Sequence, residues 1–243
     1  MRPIRGVSDA AVIRASYLHP PSFETVFDRH WAKVHRYCVT CVGSPGIDLA
    51  AETFDVAFDH RRRYDGGDDA APWLLGIARN LVREWFRRSA RADRGLRRCG
   101  PEVPLDPRHG QLERIEAERF GRALARVLER LSPSERDTLL LHVCSDLGEA
   151  ELARATAVPL MTVRSRMQRA RLHLRAQLGL LRGSSSDGDR ADLDWIAAAL
   201  PDVPAPDGAS TERAHAALRG RLAAVPRLVG ADGLGTAAAA GRG

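Results

Sequence analysis

The densest interaction chemistry lies at 161–178, where MTVRSRMQRARLHLRAQL holds Arg164, Arg166, Arg169, Arg171 and Arg175 and no acidic residue. A guanidinium is a planar fork of donors that matches phosphate oxygens or the acceptor edge of guanine, so such a run points to a polyanion. At 100° per residue, Val163, Met167, Ala170, Leu174 and Leu178 fall within a band of about 80°, a packing stripe that leaves the other faces to Thr162, Ser165, Gln168 and the arginines. A solvated surface helix is the plainer alternative, but the preceding residues favour DNA. Residues 149–155 form a short helical stretch and 156–160, TAVPL, a tight connection, so 131–178 has the pattern of a helix-turn-helix. Laid in a major groove, the basic helix would bring Thr162, Arg164, Ser165, Gln168 and Arg169 to base edges. Arg166, Arg171 and Arg175 complete the DNA-facing set, the later ones on phosphates.

Cys38 and Cys41 make a CxxC with His35 nearby, which could hold zinc or cycle as a disulfide. Both fall where a helix needs apolar fillers, and no second ligand pair has suitable spacing, so the reading is structural cysteine with no metal or cofactor. Converging catalytic groups are also missing. There is no Gly-rich phosphate loop, HExxH or GxSxG, and the eight histidines are scattered, so no enzyme and no catalytic residue is expected.

The elements that must position these residues read as all-α. Apolar residues recur at spacings of three and four almost throughout, and strict two-residue alternation is absent. A first helical block spans 22–89, broken by the turn GSPG at 43–46; its second helix runs over 48–60, and a charged loop, RRRYDGGDDAA, fills 61–71. Pro72 then opens a helix carrying Trp73, Leu74, Ile77, Leu81, Trp85 and Phe86. Glycines and prolines make 90–110 a linker, a second block occupies 111–182, and 183–243 is a partly disordered extension beyond it. Within that extension, 191–200 and 210–224 read as helices, the latter capped by Ser210 or Thr211, with 201–206 an extended spacer.

The 243 residues carry 37 Lys plus Arg against 31 Asp plus Glu, a formal charge of +6 compatible with a polyanionic partner. Lys33 is the sole lysine, and arginine is spread through every segment, which fits a compositional bias as readily as phosphate recognition. Four cysteines without a secretory pattern point to a reducing compartment, and no window approaches the ~20 apolar residues of a membrane span. A soluble cytoplasmic protein without membrane insertion is expected.

On these residues the sequence resembles the extracytoplasmic-function (ECF) sigma factors of the sigma-70 family. LSPSERDTLLLHV and then ELARATAVPLMTVRSRMQRARLHLRAQL look like region 4, with TVRSR at 162–166 and RAR at 169–171 the most specific pieces. DLAAETFDVAFDH at 48–60, RRRYDGG and PWLLGIARNLVREWFRR look like region 2. The resemblance covers about 23–181. It implies two helical domains joined by a flexible linker, region 2 over 22–89 and region 4 over 111–182, with 1–21 an N-terminal extension. The implied partners are core RNA polymerase, through its β′ clamp and β flap, promoter DNA and an anti-sigma factor. The implied role is transcription initiation through −10 and −35 recognition and promoter melting. Asp48, Glu52, Thr53 and Asp55 become the implied polymerase contacts. Tyr64, Asp65, Trp73, Asn80, Arg83 and Arg87 become the −10 set, which captures an unstacked base by stacking and edge contacts. A helix-turn-helix regulator acting without polymerase is the alternative; it would account for 131–178 but not for the RRRYDGG loop and its aromatic flanks.

Several positions depart from the family pattern. Gly148 replaces the usual serine cap, Ala157 the turn glycine, Thr156 a common leucine, Met161 a usual glycine and Ile47 a frequent glutamate. If Ala157 takes a positive φ, the strain reaches roughly 1 kcal/mol. DLDWIAAALPDVPAPD at 192–207 is similar to N-terminal segments of some actinobacterial sigma-associated membrane proteins, so the tail is expected either to fold back on the core as a regulatory element or to remain an appendage.

Overall fold

Four phenylalanines at helical spacing organise the first module. A computed structural model describes residues 7–64, 66–92, 128, 130–178 and 205–224, and every regular element among them is helical. Phe23 closes a 3-10 turn (Pro20–Phe23), Phe27 lies on α2 (Glu24–Val42), and Phe54 and Phe58 lie on α3 (Gly46–His60). The rings of Phe23 and Phe58 meet edge-on at 5.4 Å and those of Phe27 and Phe54 at 4.9 Å, the offset geometries that aromatic quadrupoles favour. Gly43, at φ 70°, ends α2 in a conformation that only glycine adopts freely. A β-carbon on Gly46 would lie 2.5 Å from the Cys38 carbonyl, so glycine lets α3 begin hard against α2, two residues before the expected start.

α1 (Asp9–Ala15) precedes this bundle and packs Val12 and Ile13 into it, so residues assigned above to an N-terminal extension belong to the first module's core. Its first residue is a pin. Buried Asp9 accepts hydrogen bonds from Arg29 Nη1 and His30 Nε2, each at 2.6 Å, and from the Ala70 N–H at 2.8 Å, while its own N–H reaches the Asp68 carbonyl. The pin holds the loop that enters α4 (Ala71–Ala92). Asp69 caps that helix by accepting from the Ala71 N–H, and Leu74, Leu75, Ala78 and Val82 face inward.

The second module is α5 (Pro133–Ser145), α6 (Glu149–Thr156) and α7 (Leu160–Leu178). α5 opens with a capping box: Ser132 Oγ accepts from the Glu135 N–H, and Glu135 Oε2 from the Ser132 N–H. At α6, Gly148 has no side chain to offer, and half of the box survives as the Glu151 carboxylate accepting the Gly148 N–H at 2.8 Å. Ala157 turns the chain at φ 53°, ψ 43°, the left-handed conformation expected of a glycine there. Val163, Met167, Ala170 and Leu174 are buried as their spacing implies.

The modules are not separate bodies. α5 packs on α2 and α6 on α4, making one continuous core. Arg36 of α2 donates to the Cys144 carbonyl, and Arg79 of α4 to Asp137 at 3.0 Å. Gly76 permits the closest approach: its β-carbon would sit 2.8 Å from the Ala155 carbonyl oxygen. Finally α8 (Gly208–Ala224) lies across α2, α3 and the 3-10 turn. It begins at Gly208, with Asp207 accepting the Ser210 N–H at 2.6 Å, so the cap is Asp207 and not Ser210 or Thr211. The expected linker, apart from 90–92 at the end of α4, and the expected helix at 191–200 lie outside the described residues.

Candidate nucleic-acid interface

α7 presents a face opposite its packing stripe. Met161, Arg164, Ser165, Gln168 and Leu172 are exposed, and at 100° per residue they share a band of about 100°. The N-terminal half of this face offers a guanidinium, a hydroxyl and a carboxamide, the donor and acceptor types that read base edges in a major groove. Arg164 Nε donates to Glu149 Oε2 of α6 at 2.7 Å, across a surface where both side chains are about half exposed. A pair of this kind contributes roughly 0 to 1 kcal/mol and releases easily to a stronger anion.

Other members of the expected DNA set sit differently. Arg169, expected at a base edge, is exposed too, but lies on the flank, where it donates through Nε to Glu135 Oε1 at 2.7 Å and ties α7 to the capping box of α5. Burial raises the Glu135 carboxyl's pKa, but hydrogen bonds from Ser132 and Arg169 outweigh it, so the group is held below its ordinary value and stays ionised to receive that bond. Thr162, Arg166 and Arg171 are half-buried along the flanks, and the side chain of Arg175 lies outside the described residues.

In the first module, Val56, His60, Arg63, Trp73, Ile77, Asn80 and Leu81 line a cleft of about 320 Å³ between α3 and α4. It joins an apolar floor and an aromatic wall to an exposed carboxamide and a cation, a combination suited to a flat, polar-edged ring. Trp73 and Asn80 were expected there; Val56, His60, Arg63, Ile77 and Leu81 were not. Tyr64 packs on Trp73 at 4.9 Å, but its hydroxyl donates to the Gly67 carbonyl of its own loop at 2.7 Å, and a β-carbon on Gly66 would collide with its ring at 2.6 Å. Tyr64 is thus the loop's fastener. Burial, with Asp9 and Asp69 near, pushes its hydroxyl up to about 12, so the proton that makes this bond is retained. Arg83 is exposed but points to Asp137 of the second module at 3.6 Å, and Arg87 pairs with Glu84 one turn back. Asp65 lies outside the described residues.

On α3, Asp48 and Glu52 are exposed and Asp55 half-buried. Thr53 is fully buried with its hydroxyl donating to the Leu49 carbonyl at 2.7 Å, which corrects its assignment to a partner surface: its side chain has no surface to offer. The acidic stripe continues instead to Asp59, giving positions i, i+4, i+7 and i+11, a spacing already visible in the sequence. Cys38 and Cys144 are buried, and the loss of hydration raises both thiols, Cys144 to about 11, so they remain protonated packing groups. Among the described residues the one cluster with metal-ligand spacing is Asp9, His30 and Asp69, where the Asp9 oxygens are already engaged by Arg29, His30 and a backbone N–H. No helix among the described residues is long and apolar enough to cross a membrane.

A helix-turn-helix with a polar, partly basic outer face, packed on a second helical module that carries an aromatic cleft, defines a nucleic-acid-binding protein of two modules. Sigma-70 region 2 matches residues 26–92 and sigma-70 region 4 matches residues 121–174. Over 127 residues the chain is 32% identical to the ECF RNA polymerase sigma factor SigC of Mycobacterium tuberculosis, a match covering 51% of this chain and 65% of SigC, just under two thirds of that protein. It is 32% identical over 138 residues to the RNA polymerase sigma factor HrpL of Pseudomonas syringae pv. syringae, covering 54% of this chain and 72% of HrpL. The solved sigma factor RpoE of Bartonella quintana, in complex with the anti-sigma factor NepR, shares the fold with a TM-score of 0.52 at 20% identity, over 66% of this chain and 98% of that one. The chain belongs to the ECF group of the sigma-70 family.

Proposed function

We propose that the chain is a transcription-initiation factor that binds core RNA polymerase and directs it to particular promoters. The observation that carries this reading is the pairing, in one chain, of the Arg164–Ser165–Gln168 face on a helix-turn-helix with the Trp73–Asn80 cleft on the neighbouring module. The face on α7 would read the −35 element in the major groove; the cleft would receive a base extruded from the −10 element, repaying its unstacking by ring contact and edge hydrogen bonds. Asp48, Glu52, Asp55 and Asp59 form the surface for the β′ clamp, and the second module engages the β flap. The role is one of binding rather than catalysis, it is exercised in the cytoplasm, and an anti-sigma factor is the regulatory partner this reading implies.

Run-off transcription with core enzyme, followed by mapping of start sites, tests the proposal. New start sites that appear only when this chain is added are expected. A chain that shifts duplex operator DNA by itself and leaves the start sites of core enzyme unaltered would be a regulator of the helix-turn-helix type instead.

A further inference from the structure

α8 covers part of the surface that the proposed function assigns to polymerase. Ser210, Ala214, Leu218 and Leu222 recur every four residues and are all buried, so this helix has one apolar stripe and spends it on the first module. It runs antiparallel to α2. Thr211 Oγ1 accepts from Trp31 Nε1 at 3.0 Å, and one turn later the His215 ring stacks on Phe27 at 4.9 Å with its Nε2 3.4 Å from Glu24. Two turns further, Arg221 reaches α3, where it pairs with Asp59 and lies 4.0 Å from Asp55. One cation of α8 therefore engages two of the four acids in the stripe Asp48, Glu52, Asp55 and Asp59.

We infer that α8 is a tethered competitor for core RNA polymerase, an amphipathic helix that covers the Asp55–Asp59 end of the acidic face of α3 until the enzyme displaces it. The inference rests on the polymerase-binding reading of that face. The seal suits a releasable cover: two leucines and an alanine supply the apolar contact, and the ion pairs are part-exposed, with Arg221 at 44% and Asp59 at 49%, where water screens them. Covalent connection through the 29 residues between α7 and α8 makes the competition intramolecular, so contacts too weak to hold a free helix can hold a tethered one. The same geometry states what a displacing partner must offer: a helical or ridged surface with an apolar stripe flanked by a cation.

The test compares dissociation constants for core RNA polymerase among the full-length wild type, Arg221→Glu and the double variant Leu218→Asp/Leu222→Asp. Arg221→Glu puts an anion beside Asp55 and Asp59 and should tighten core binding about three- to tenfold, more at low salt; the double variant should tighten it about tenfold or more. Arg221 lies at the surface, so its substitution leaves folding intact. In the opposite direction, Asp59→Cys/Arg221→Cys joined by a short bismaleimide, with Cys41→Ser and Cys99→Ser to remove competing thiols, should bind core at least about tenfold more weakly than the same chain unlinked. Equal affinities across these chains, or weaker binding by the Arg221 variant, overturn the competitor and leave the sigma-factor reading in place. Failure of every chain to bind core overturns that reading and the competitor with it.

Discussion

Ala157 holds the turn between α6 and α7 at φ 53°, where its β-carbon crowds the following carbonyl. Ala157→Gly removes that clash against a smaller loss from the freer unfolded chain. The unfolding free energy should rise by about 0.5 to 1 kcal/mol, read as a higher urea midpoint. Asp9 is the opposite case, a residue whose surroundings suit its charge. Burial opposes ionisation, yet hydrogen bonds from His30, the Ala70 N–H and Arg29 outweigh it and hold the carboxyl at about 2, below its ordinary 3.8. A depressed carboxylate pKa contributes stability in full above about pH 4 and loses it as pH falls towards 2; here the contribution is about 2 kcal/mol. Asp9→Asn should therefore be less stable by about 2 kcal/mol at pH 7, and its urea midpoint should converge with that of wild type as the pH is lowered from about 5 to 2. Convergence at neutral pH would show that the pin contributes no charge-dependent stability.

For α7, the exposed face and the flank predict different outcomes. Arg164→Ala and Gln168→Ala should each weaken promoter binding by about 1 to 3 kcal/mol and relax selectivity at one base pair, checked with a panel of −35 substitutions. Arg169→Ala should instead lower folding stability by about 0.5 to 1 kcal/mol, because Glu135 loses its cation while the pair is partly screened by water. The packing stripe of this helix was legible in the sequence because a 3.6-residue period needs no partner to be seen. The ion pair of Arg169 was not: Glu135 lies 34 residues earlier and meets it only after α5 and α7 have packed. Thr53 was misread for a related reason, since it carries a polar label while its hydroxyl is satisfied by its own helix and its methyl faces the core. Asp59 could have been found, as it completes an acidic stripe at plain helical spacing. The cleft was half legible: Trp73 and Asn80 share one helix, whereas Val56 and His60 of α3, and Arg63 of the 3-10 turn that follows it, reach them only through the packing of α3 on α4.

At the scale of the molecule, the two helical modules read from sequence are both present, but that reading did not anticipate the close contact between them at Gly76. A missing β-carbon carries no periodic signal, yet it is what lets α4 and α6 touch. Gly76→Val should cost this contact about 1 to 3 kcal/mol while favouring the helix that contains it, so small-angle scattering should report a larger radius of gyration with helical content preserved. Unchanged dimensions would mean that Arg36, Arg79 and the α2–α5 packing suffice to hold the modules together. Chain order adds one more consequence to the seat of α8. α3 ends at residue 60 and α8 ends at residue 224, so a ribosome must add 164 further residues before the covering helix exists. At roughly 5 to 20 residues per second that interval is about 8 to 30 s, during which the nascent chain shows its acidic ridge uncovered.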